Sequence, residues 1–212
     1  MISIFSLSAG LDPFYTDDDF SDYTVLHHLA RKGEDECMER VLNTLDEDDQ
    51  DKLVAKRNKY GGTPVYVASL FGKLEAVKFL EGKGADLNGT TKDGESPFWI
   101  ASKNGHLEVV EYLYNQSVDW KASDVDGKSP LWIASFFGHL DVAKFIVAIG
   151  GDVNQKTNDK RGISPLQIAV MYGHYDIFRH FLENGGLIDD QTREGDTAFY
   201  LAAEHGQMDI LK

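Results

Sequence analysis

The chain reads as an all-α repeat solenoid, a row of stacked helix pairs, on three observations. A seven-residue string returns along it: Thr63-Pro64-Val65-Tyr66-Val67-Ala68-Ser69, then Ser96-Pro97-Phe98-Trp99-Ile100-Ala101-Ser102, then Ser129-Pro130-Leu131-Trp132-Ile133-Ala134-Ser135, then Ser164-Pro165-Leu166-Gln167-Ile168-Ala169-Val170. Weaker copies start at Thr24 and Thr197, and the steps from Thr63 onward are 33, 33, 35 and 33 residues. A glycine follows each start nine residues later, at Gly33, Gly72, Gly105, Gly138, Gly173 and Gly206. A further mark comes twelve residues after that in four copies, at Gly84, Ser117, Gly150 and Gly185, and a turn glycine follows at Gly94, Gly127, Gly162 and Gly195.

Each mark has a physical task. Ser or Thr before Pro starts a helix: the hydroxyl caps free N–H groups, and Pro suits the first helical position. The short apolar run, with Ala inside it, gives a closely packing face. The glycine ends that helix in a left-handed conformation. A second helix follows, as in Leu140-Asp141-Val142-Ala143-Lys144-Phe145-Ile146-Val147, where apolar residues recur at three- and four-residue spacing. It ends near the next glycine, and a polar turn leads on. No unit can bury its faces alone, so neighbours must stack.

These strings resemble the ankyrin repeat family, whose repeat has 33 residues and a Thr-Pro-Leu-His-x-Ala signature. The likeness covers residues 20–212 and includes Gly105-His106-Leu107-Glu108 and Gly138-His139-Leu140-Asp141 at the start of the second helix. It implies an ankyrin-like helix-pair array with short β-hairpin fingers, curved, with a concave side that binds partners. Departures are visible. The signature His is Tyr66, Trp99, Trp132, Gln167 or Tyr200 in five of the six copies, and two residues are inserted near Gln155–Lys160. The first copy is six residues longer around Asp46–Lys56, and its finger lacks the turn glycine.

The expected organisation is an acidic arm at 1–19, a capping repeat with an elongated end at 20–57, and repeats at 58–90, 91–123, 124–158 and 159–191. A sixth repeat at 192–212 stops where Lys212 aligns with Lys78, so its second helix is cut in mid-span. An array should close on a capping unit. The expectation is therefore a piece of a longer protein, or an end covered by something else.

Composition excludes several function classes. The net charge is −14, with 14 acids against 6 bases in residues 1–57 and 21 against 15 beyond, which argues against gripping a phosphate backbone. Cys37 is the only cysteine, so no internal disulfide can form and a reducing, intracellular setting is expected: cytoplasm, nucleus, or a host cytosol for a bacterial effector. No apolar run is long enough to span a membrane.

No phosphate-binding loop, zinc helix or nucleophile elbow occurs, so no catalytic, cofactor or metal residue is assigned. His106, His139 and His174 recur once per repeat. Adjacent repeats stand roughly 10 Å apart, too far to share one zinc, so each His is expected to brace its own loop. Cys37 is read as a small packed residue. Asp46-Glu47-Asp48-Asp49-Gln50-Asp51 is read as a solvated loop, since it lacks a calcium loop's glycine.

The expected function is non-catalytic: a monomeric module binding another protein, with no nucleic acid and no membrane insertion. The alternative is the substrate-recognition arm of a larger enzyme or ubiquitin-ligase adaptor. In the family that the chain resembles, contacts come from the end of the first helix and from the finger tip. The first-helix ends here are Arg31-Lys32, Leu70-Phe71, Lys103-Asn104, Phe136-Phe137, Met171-Tyr172 and Glu204-His205, and the groove is expected along the four from Leu70 to Tyr172. Large apolar side chains at such positions mark a binding surface. Tyr66, Trp99 and Trp132 form a second stripe at 33-residue spacing, either packed between helix and finger or partly exposed beside the groove. The resemblance also implies that Asn88 and Asn154 could be hydroxylated.

Overall fold

A computed structural model describes residues 22–211. The acidic arm at 1–19 lies outside these described residues. Twelve helices follow in order. Five antiparallel pairs are α1 (Val25–Lys32) with α2 (Asp35–Leu42), α4 (Pro64–Leu70) with α5 (Leu74–Gly82), α6 (Pro97–Lys103) with α7 (Leu107–Asn115), α8 (Pro130–Phe137) with α9 (Leu140–Ala148), and α10 (Pro165–Met171) with α11 (Tyr175–Glu183). α3 (Glu47–Val54) stands between the first two pairs, and α12 (Ala198–Glu204) is the last.

The starts form as their chemistry requires. Ser96, Ser129 and Ser164 accept the backbone N–H of Trp99, Trp132 and Gln167 at 3.1–3.2 Å, each with Pro at the first turn. α8 ends on Gly138 at φ 77. Where the first repeat lacks a turn glycine, Asp22 takes φ 60 instead, and Ser117 takes φ 57 where other repeats have glycine.

Helices of seven to nine residues are too short to hold in water alone. Packing supplies the rest. The first helices line up as α1, α4, α6, α8, α10 and α12, each touching the next. Sandwiched so, α8 buries Leu131 to Ser135 without a break. The second helices lie on one flank and bury one stripe each: Val109, Val110 and Leu113 in α7; Val142, Ala143 and Ile146 in α9; Ile177, Phe178 and Phe181 in α11. Buried Ser69, Ser102 and Ser135 donate to the carbonyls of Val65, Phe98 and Leu131 at 2.6–2.9 Å, so these three hydroxyls are paired inside the core.

Two expectations are refined. The fingers are tight turns rather than hairpins, and among the described residues no finger segment is a strand. Each turn still hydrogen-bonds the next one: Lys92 N–H to Tyr60 O, Val125 N–H to Asp93 O, Asn158 N–H to Asp126 O and Arg193 N–H to Arg161 O, at 2.8–3.0 Å. The turns are too short to run a ladder. The acidic stretch at 46–51 is not a loop either: Asp46 caps α3 by accepting Asp49 N–H at 2.9 Å, and Glu47, Asp48 and Asp49 fill its first turn. Carboxylates there meet the positive end of the helix dipole, and Leu53 and Val54 anchor α3 in the core. The two-residue insertion is absorbed locally, with Asp159 accepting the N–H groups of Arg161 and Gly162 at 3.1 and 2.8 Å.

Candidate functional site on the first helices

The C-terminal ends of α4, α6, α8 and α10 fall on one edge of the array, because adjacent first helices pack against each other. The outer member of each pair faces solvent. Phe71 is 38 % exposed, Phe137 45 % and Tyr172 50 %, and Asn104 is exposed between them. The inner members Leu70, Lys103 and Phe136 are half-buried. Met171 is 8 % exposed and belongs to the core, so the fifth repeat offers Tyr172 alone.

The rings group between the fourth and fifth repeats. Phe136 stands 4.4 Å from Tyr172 and 4.8 Å from Phe137, centroid to centroid, and stacks on Trp132 at 5.5 Å. Tilted and edge-on contacts of this kind fix the rings relative to one another. Phe71 lies two repeats away with the Arg31 guanidinium 4.9 Å above it. Arg31 lies at the first-helix end one repeat earlier, a pair that the sequence places in the contact zone but that carries no large apolar side chain. Lys103 interrupts the row: its ammonium lies 5.3 Å from the Trp99 ring and 3.7 Å from the Glu95 carboxylate.

Trp99 and Trp132 are not surface residues: they are 2 % and 6 % exposed. Their indole N–H groups donate to the carbonyls of Lys128 and Ile163 in the following finger, at 2.8 and 3.0 Å. His27, Tyr66 and Gln167 at the same register position make equivalent ties, whereas Tyr200 is exposed. His27 Nε2 faces Gly62 O at 3.1 Å, Tyr66 donates to Glu95 at 2.6 Å, and Gln167 donates to Asp190 O at 2.9 Å. The stripe is thus a row of ties between neighbours, and a partner does not reach it. Burial and the Glu95 acceptor push the Tyr66 phenol far above its usual range.

The recurrent histidines also reach across repeats rather than bracing their own loops. His106, His139 and His174 direct Nε2 to the carbonyls of Leu70, Lys103 and Phe136 in the preceding repeat, at 3.1, 2.9 and 3.1 Å. Gln207 does the same to Met171 O at 3.0 Å. Partial burial holds the His139 imidazole below its ordinary pKa. Each of these rings sits in the space that a glycine leaves open: a Cβ on Gly105 would come within 2.6 Å of His139 Nδ1. The glycine and the histidine therefore fix where each first-helix end lies relative to the next.

Asn88 and Asn154 likewise link neighbouring loops. Asn88 accepts Asp119 N–H at 2.8 Å, while Asn154 accepts Leu187 N–H at 2.9 Å and donates to Gly185 O at 3.0 Å. Among the described residues, no helix is long and apolar enough to cross a membrane.

A family model described as ankyrin repeats matches the chain in three copies, over residues 3–91, 79–157 and 151–212. No curated protein matches the chain.

Proposed function

The chain belongs to the ankyrin repeat family, and on that premise we propose that it is a non-catalytic module that binds a partner protein along the first-helix edge. Repeats of this family are generally protein-interaction modules. The observation that carries the site is the cluster of Phe136, Phe137 and Tyr172, in which two of three packed rings keep about half their surface in water. Aromatic side chains held in place lose little entropy on contact and dominate interface energies, at upwards of about 2 kcal/mol for the best anchors. The stitched backbone beneath them presets the surface. Phe71 with Arg31 extends the row, and Lys103 and Asn104 give a polar break that fixes register. The partner's complementary face is therefore apolar at two places with a polar group between.

The test replaces only exposed members, so the core is untouched: Phe71→Ala/Phe137→Ala/Tyr172→Ala beside the wild type, with melting curves as the folding control. Prey captured from lysate by the wild type and identified by mass spectrometry should lose affinity for the triple variant by more than about tenfold. Equal recovery by both arrays would move the site to the finger turns or the acidic arm and end the proposal.

A further inference from the structure

A side-chain carboxamide staples the loops of adjacent repeats at two of three comparable junctions. Asn88 accepts the amide of Asp119, and Asn154 accepts that of Leu187 while its NH2 reaches Gly185 O. Asp119 and Leu187 each stand two residues after a positive-φ residue, Ser117 or Gly185. At the junction of the third and fourth repeats the staple is missing. Lys121 holds the position that Asn88 holds one repeat earlier, eight residues before the next helix cap, and it faces the Gly150–Asp152 loop. An ammonium cannot accept a hydrogen bond. Its Nζ lies 5.0 Å from the Trp120 ring instead. Among the described residues neither the Asp152 N–H nor the Gly150 carbonyl has a protein partner.

The unstapled loops leave a pocket of about 190 Å³. Leu131 and Ile146 line it from the core, Trp120 and Lys121 from one loop, Gly150 and Asp152 from the other. Trp120 is itself set edge-on to Tyr114, at 6.4 Å, and Tyr114 to Phe145, at 5.6 Å, so its wall is firm. The pocket thus offers an apolar floor with one donor and one acceptor, at the register positions that Gly185 O and Leu187 N–H, the pair that Asn154 engages, hold one repeat further on.

We infer that this pocket takes a primary carboxamide, the side chain of an Asn or Gln presented by a partner polypeptide. The amide oxygen accepts the Asp152 N–H, the NH2 donates to Gly150 O, and the methylene carbons lie on Trp120, Leu131 and Ile146. The ligand supplies from outside what Asn154 supplies from within. A carboxylate of the same shape is rejected, because it has no proton for Gly150 O and would face the Asp152 side chain. The polypeptide source of the amide rests on the protein-binding function proposed above; the pocket's chemistry does not.

The test uses N-acetyl-asparagine N′-methylamide, titrated into the ¹⁵N-labelled full chain. The expected result is saturable shifts at the Gly150, Gly151 and Asp152 amides and the Trp120 indole N–H, with the aspartate analogue at least about tenfold weaker. Lys121→Asn plants the missing carboxamide in place. It should weaken binding by about tenfold or more and raise Tm by about 2–4 °C, as one added loop staple would. Lys121→Ala, which leaves the pocket open, should bind as the wild type does. Absence of saturable shifts in the wild type, equal response to the aspartate analogue, or undiminished binding by Lys121→Asn would each overturn the inference. The triple variant of the aromatic row keeps the pocket, so failure there and failure here are read separately.

Discussion

A His27→Gln variant should keep its stability in acid where the wild type loses it. His27 is fully buried, and its pKa is lowered to about 4 by desolvation first, with His28 and Lys56 adding to the effect against the Gly62 hydrogen bond. Its partners assign the neutral tautomer: Nδ1 accepts the Thr24 N–H at 3.2 Å, and the Nε2 proton goes to Gly62 O. The unfolded chain has an ordinary imidazole, near 6.5. Above pH 6.5 both states are neutral there, and this group sets no slope. Between 6.5 and 4 the unfolded state takes the proton and the native state does not, so stability falls with falling pH. The loss is about 1.4 kcal/mol per pH unit and about 3 kcal/mol over the window.

The fifth repeat shows that Gln serves the same two bonds without titrating. Gln167 accepts Ser164 N–H at 3.0 Å and donates to the finger carbonyl of Asp190 at 2.9 Å. Urea melts at pH 7.5 and 4.5 on both proteins measure the effect. The stability gap between the two pH values should be smaller in His27→Gln by about 2.5–3 kcal/mol. His139 titrates in both proteins and cancels in the difference. An equal acid loss in both would show that His27 is not the acid-sensitive group.

The second large effect is expected at Gly138. It closes α8 at φ 77, and a Cβ there would lie 2.6 Å from Cε1 of His174. His174 cannot simply move, because its Nε2 is bonded to Phe136 O at 3.1 Å. Gly138→Ala therefore combines left-handed strain, about 1 kcal/mol, with a displaced ring and a lost inter-repeat bond, about 3 kcal/mol in all. Gly150 is the control. Its φ is +97 and nothing lies within 4 Å of a built Cβ, so Gly150→Ala should show the strain alone. Denaturant melts of the two variants give the difference directly. Because His174 fixes Phe136 against Tyr172, Gly138→Ala should also weaken capture of the partner. Equal destabilisation by both substitutions would mean that the His174 ring yields freely.

The fold was legible because its signals are local. A Ser-Pro pair, a glycine nine residues on, and a three-to-four periodicity each act within about ten residues, and their repetition needs no knowledge of distant contacts. The same locality explains the misses. In residues 46–51 most of the acids do face solvent, but they are not a loop: the apolar pair Leu53-Val54 just beyond them decides that α3 forms and docks. Phe136, Trp132 and Met171 are alike in sequence as large apolar residues of the first helices. Only the neighbour's placement makes one half-exposed and two buried.

What the sequence determined by itself was the unit: helix starts, left-handed stops and one apolar stripe per helix are written into it, because backbone geometry and capping depend on the residue that occupies the place. What only the tertiary structure decided was direction across repeats. The histidines and the Trp99–Trp132 stripe tie each repeat to its neighbour, and Lys121 leaves one junction open. The physical reason is that a hydrogen bond between repeats requires both the distance and the rotation of one unit on the next. Packing sets these, and a 33-residue period does not.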